Sequence, residues 1–137
     1  MHALRAPGLR VVARPEALDG AVWRDEGPGP DEFEPLVLRL APDDAYAIGA
    51  TDVEIDDEHA IVERETGYLA LMFPADEFAD AVIPHLEWPA PRERPALAQG
   101  AIAGVPAKLY IDSTGAAIVL VMASYVDDLL GRLPVTP

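Results

Sequence analysis

Apolar and polar residues alternate with period two along several short stretches of this chain, and two stretches repeat instead at helical spacing. Leu36, Leu38 and Leu40 alternate with Val37 and Arg39, which predicts a strand. Ala41-Pro42-Asp43-Asp44 turns the chain, and Ala45–Ala50 is expected to return beside it. Thr51–Ile55 alternates again, with Val53 and Ile55 on one face and Asp52 and Glu54 on the other. Ala60-Ile61-Val62 opens a further strand, Glu65-Thr66-Gly67 reads as a hairpin turn, and Tyr68–Phe73 is a continuous apolar strand. Leu97–Ala103 and Val105–Ile111 flank Gly104, with Leu109 and Ile111 on one face and Lys108 and Tyr110 on the other. Asp112-Ser113-Thr114-Gly115 is a turn before a buried strand at Ala116–Ala123.

The helical spacings follow the two most apolar strands. Phe78, Ala81 and Val82 share a face behind Pro74, and Pro84 limits that helix to about 75–83. Val126, Leu129, Leu130 and Leu133 form a second stripe, ended by Pro134, and Ser124 is expected to cap its first turn. Prolines at 84, 89, 91 and 95 make the intervening connection irregular. The order of elements predicts an α+β fold, an antiparallel sheet with two helices packed on one face. Met1 to Glu34 reads as an arm carrying short strands near Leu9–Ala13 and Ala21–Arg24. It ends in the acidic Pro/Gly loop Asp25–Glu32, which leaves residues 35–137 as a single α+β domain.

Charge narrows the function classes. The chain has 137 residues, with 24 acids against 10 bases for a net charge of −14, and no cysteine. Residues 1–14 carry +3, residues 15–65 carry −13 and residues 66–137 carry −4. Such an excess repels phosphate backbones and anionic lipid, so neither nucleic acid nor membrane is an expected partner. The longest uninterrupted apolar run, Ala116–Ala123, is eight residues, against roughly 20 for a membrane span. With no signal-peptide pattern at Met1–Gly8, the expected location is cytoplasmic.

Motifs for catalysis are missing from the sequence. The run Asp52–His59, with Glu63, imitates the spacing of a calcium loop, but Asp57 stands where that loop needs glycine. It reads as a solvated, acidic strand edge. His2, His59 and His85 have no metal-ligand spacing, and Ser113 and Ser124 lie in no nucleophile elbow. No catalytic, cofactor-binding or metal-ligating residue is therefore assigned. Trp88, Tyr110 and Tyr125 remain as candidates for a partner or pocket face, because large amphipathic rings anchor both.

Leu36–Gly49, with its strand–Pro-Asp–strand pattern, resembles the opening of the sarcosine oxidase gamma subunit family, which is related to the folate-binding domain of the glycine-cleavage T-protein. Ala60–Leu71 with Pro74-Ala75-Asp76 is similar to the family's next hairpin and helix. Gly100–Ala107 and Leu120–Leu129 resemble its ending, where a buried strand runs into a Ser-Tyr helix start. The likeness spans about residues 36–133, and Ala123 stands where the family often has arginine. It implies a fold similar to half of the T-protein folate-binding fold. It also implies a noncatalytic accessory subunit bound to larger oxidase subunits, which would hold the flavin and folate. The alternative is a stand-alone homodimeric small-molecule binding module or small enzyme of unknown substrate. An exposed apolar strand edge favours the first reading, and a pocket joining Trp88, Tyr110 and Tyr125 favours the second.

Overall fold

The computed structural model describes residues 1–25 and 35–135. The chain is mixed α+β, built mainly of antiparallel sheets, and divides into two compact units. One comprises Ala6–Thr66 and the other Met1–Arg5 with Gly67–Pro137.

The Ala6–Thr66 unit contains a four-stranded antiparallel sheet. Its strands are β2 (Gly8–Val12), β4 (Leu36–Ala41), β5 (Asp44–Ile48) and β7 (Ile61–Glu65), in the order β4-β5-β2-β7. A two-stranded ribbon pairs β3 (Val22–Arg24) with β6 (Asp52–Glu54), and α1 spans Pro15–Asp19. Leu9, Val11 and Ala13 from β2 and its end meet Ala45 and Ala47 from β5 and Leu18 from α1 in one core, flanked by Trp23, Val53 and Ile55. Alternation selects this set, since every second residue of β2 and β5 falls on the same face. The two strands also approach unusually closely. A Cβ on Gly8 would lie 2.1 Å from the carbonyl oxygen of Ala47, so only glycine fits there. Buried Tyr46 donates its hydroxyl to the carbonyl of Ala6. Arg10 meets Asp44 in a two-point ion pair, with Nη2 at 2.7 Å from Oδ2 and Nε at 3.3 Å from Oδ1.

The second unit holds a five-stranded antiparallel sheet in the order β1-β8-β11-β10-β9. The strands are β1 (His2–Arg5), β8 (Tyr68–Phe73), β9 (Ala96–Ile102), β10 (Val105–Ile111) and β11 (Ala117–Met122). Leu71, Phe73, Val119, Val121, Leu109 and Ile111 point to one face, where they pack with Phe78, Ala81 and Val82 and with Val126, Leu129 and Leu133. Two helical segments on one face of an antiparallel sheet is the arrangement the apolar periodicity predicts. The turn between β9 and β10 uses Ala103 and Gly104, both at positive φ.

Several details differ from the sequence reading, each for a local reason. Residues 1–25, expected as an arm, supply β1 to one sheet and β2, α1 and β3 to the other unit, and Leu9 and Val11 are core. The Pro/Gly loop falls largely on residues 26–34, outside the described residues. Thr66-Gly67 is not a hairpin turn, because β7 pairs with β2 while β8 pairs with β1 and β11. The chain passes between units there. The segment after Pro74 starts as α2 (Ala75–Glu77), widens to π spacing over Phe78–Val82 and tightens to a 3₁₀ turn at Ile83–His85. Pro84 has no N–H to continue a regular ladder, which fits the local rearrangement. Ser124 makes no capping hydrogen bond; a 3₁₀ turn, Ala123–Tyr125, leads into α3 (Val126–Arg132) instead.

Candidate functional site

β7 is an outer strand of its sheet. It is hydrogen-bonded to β2 on one side, with Val12 opposite Ile61 and Val11 opposite Val62, and has no strand on the other among the described residues. Ile61 is 56% exposed, Val62 45% and Val12 40%. Isolated exposed apolar residues are ordinary, but here two branched ones are consecutive and therefore point to opposite sides of the strand. Val12 extends the patch across the ladder from Ile61. The C-terminal half of β7 carries Glu63, Arg64 and Glu65, the kind of charges that protect an edge against pairing. The first half carries none.

The turn that delivers β7 is pinned by Asp57. Its carboxylate accepts the backbone N–H of Arg14 at 2.9 Å through Oδ2 and that of His59 at 2.9 Å through Oδ1. The Arg14 guanidinium donates to the Asp56 carbonyl at 2.7 Å and lies 3.7 Å from the Asp57 carboxylate. The Arg14 N–H bond, then that of His59, holds the Asp57 carboxyl below the ordinary carboxylate range. Asp57 thus ties α1, whose N-cap is Arg14, to the start of β7. The oxygens that would serve a cation serve the backbone instead. Among the described residues no group of three or more His, Asp or Glu is placed to hold a metal ion.

The three aromatic candidates lie in the Gly67–Pro137 part of the other unit, in different places. Tyr110, on the sheet face opposite the helices, lines a pocket of about 290 Å³ with His2, Met72, Asp112 and Ile118. Asp112 belongs to a turn, accepting Thr114 Oγ1–H and Thr114 N–H, and these bonds lower its pKa, the hydroxyl first. Trp88 packs against the helix-side core and covers Gly100, where a Cβ would lie 2.7 Å from Cε3 of its ring. Its Nε1–H is buried without a partner. Tyr125, 44% exposed, stands in the 3₁₀ turn before α3. The rings do not converge on one cavity.

Sequence reasoning passed over a second concavity on the Tyr110 face. Tyr68, Gln99, Ala101, Pro106, Lys108 and Met122 line it. Its signal was the chain's sole lysine, at position 108, within an apolar strand.

No helix among the described residues is long and apolar enough to cross a membrane. The chain matches no protein-family model, and no curated protein and no solved structure is similar to it.

Proposed function

We propose that this chain is a noncatalytic, protein-binding subunit that accepts an extended segment of a larger partner along the outer edge of β7. One observation carries the reading: the first half of this edge presents Ile61 and Val62 to solvent beside Val12, without a covering element among the described residues. A strand edge offers unpaired backbone N–H and C=O groups, and adding a strand satisfies them while burying the flanking side chains. Asp56 and Glu58 precede the edge and Glu63 lies on it beside the exposed pair, so the matching partner strand is apolar and basic. The likeness of residues 36–133 to the sarcosine oxidase gamma subunit family names one such assembly, with flavin and folate held by the larger partners. That likeness rests on the residues quoted for it and on nothing else.

The test is recovery of the tagged chain from its source cells, in parallel with an Ile61→Lys, Val62→Glu double variant. The expected result is a stoichiometric partner with the parent chain and its loss with the variant, both proteins having equal unfolding midpoints. Retention of the partner by the variant refutes this edge as the contact. Recovery of the parent chain only as a homo-oligomer refutes the accessory role.

A further inference from the structure

The sole lysine of the chain is held in an unusual way. Lys108 lies on β10, half-buried, on the sheet face away from the helices. Its Nζ donates to Gln99 Oε1 at 3.1 Å and stands 5.4 Å from the centroid of the Tyr68 ring. Cross-strand register sets the first contact directly, since Lys108 is opposite Gln99. In a chain with 24 acids, this ammonium has no carboxylate partner among the described residues. Arginines that likewise make no ion pair, such as Arg5, Arg64 and Arg94, are exposed and free to be solvated. Lys108 is instead fixed by neutral groups. Of its three N–H donors, one is used by the Gln99 amide, which leaves donors for the cup.

The walls decide what would complement that donor. Pro106, Ala101 and Met122 are apolar, Tyr68 offers a ring, and among the described residues no acid lines the space, whose volume is about 310 Å³. One fixed cation matches a monoanion better than a dianion. The apolar rim matches a carbon body of a few to several atoms. The net charge of −14 opposes anions at long range, but at physiological salt that field is screened beyond about 8 Å. The described lining, which holds no acid, governs the contact.

We propose that this cup binds a small organic carboxylate, its oxygens on Lys108 Nζ and its carbon body against Tyr68, Pro106 and Met122. The site is independent of the β7 edge, which lies in the other unit.

The experiment is an amide-resolved NMR titration of the full chain with benzoate, phenylacetate and hexanoate, and with benzyl alcohol and inorganic phosphate as controls. At least one carboxylate is expected to shift the Tyr68, Gln99 and Lys108 signals saturably, with both controls silent at the same concentration. Lys108→Met, which retains the apolar stem, should weaken that binding about tenfold or more, the worth of a charge-assisted hydrogen bond. Lys108→Arg should keep most of it, and unchanged signals elsewhere will show that both variants are folded. Silence with all three carboxylates overturns the proposal, as does full binding by Lys108→Met. Equal shifts with benzyl alcohol reduce the site to an apolar depression, and equal shifts with phosphate reduce it to a lone ammonium; either result also overturns it.

Discussion

Replacing Gly8 with alanine adds one methyl group, and the structure makes that methyl expensive. The added Cβ would lie 2.1 Å from the Ala47 carbonyl oxygen and 2.9 Å from Ile48 Cα, both backbone atoms of the adjoining strand. No side-chain rotation relieves such a contact. To regain an ordinary separation, β2 and β5 must part by more than 1 Å, on the order of the gap between a hydrogen bond and none. Overpacking costs about 1–3 kcal/mol, and loss of one or two ladder hydrogen bonds adds about 1 kcal/mol each. The total is about 2–5 kcal/mol. Gly131 is the matched control, lying within α3 with nothing within 4 Å of its added Cβ. There alanine removes the entropic penalty of glycine and should stabilise by about 0.5–1 kcal/mol. Urea unfolding of the two variants, followed by far-ultraviolet circular dichroism, should move the midpoints in opposite directions. A Gly8→Ala midpoint indistinguishable from that of the parent chain would refute the close approach of β2 to β5.

Other consequences are equally direct. Gly100→Ala places a Cβ 2.7 Å from the Trp88 ring and should displace it; in a Trp23→Phe background the fluorescence of Trp88 should shift to the red, and unchanged emission would count against this packing. Leu109, fully buried on the interior strand β10, should cost about 2–5 kcal/mol on truncation to alanine, read from chemical denaturation. Asp57 has a lowered folded-state pKa, so its contribution is complete above the unfolded-state value and disappears as pH falls through the folded one. Asp57→Asn should therefore lower stability at neutral pH and flatten its fall on the acid side, measured as unfolding midpoint against pH from about 2 to 6; an unaltered slope would contradict the bonds to Arg14 and His59.

What could be read from the sequence was what local pattern dictates. Alternation identified Leu38, Val53, Leu109 and Ile111 as members of strands, and the stripe Val126, Leu129, Leu133 identified α3, because burial of one face imposes those periods. β1 was invisible because His2–Arg5 has no alternation of its own; its extended form follows from register with β8, where Leu4 is opposite Ala70. Thr66-Gly67 has hairpin chemistry, yet long-range pairing sends the strands on either side to different sheets. Ser124 has the right chemistry for a cap, but the preceding 3₁₀ turn moves the helix start past it. For the aromatic candidates, strand parity put Tyr110 opposite Leu109 from the outset. The placing of Trp88 depends on how the proline-rich connection returns over Gly100, which no local pattern specifies. The exposed pair on β7 was readable as Ile61-Val62; its position at a sheet edge was not.

The central claim is that β7 accepts a partner strand, and amide hydrogen exchange of the chain, free and in its native complex, tests it most directly. Whichever amides of Ile61 to Glu63 face away from β2 should exchange freely in the isolated chain, then slow markedly in the complex. Amides of the interior strands β10 and β11 should stay equally protected in both states. Unchanged exchange along β7, with new protection elsewhere, would contradict the account.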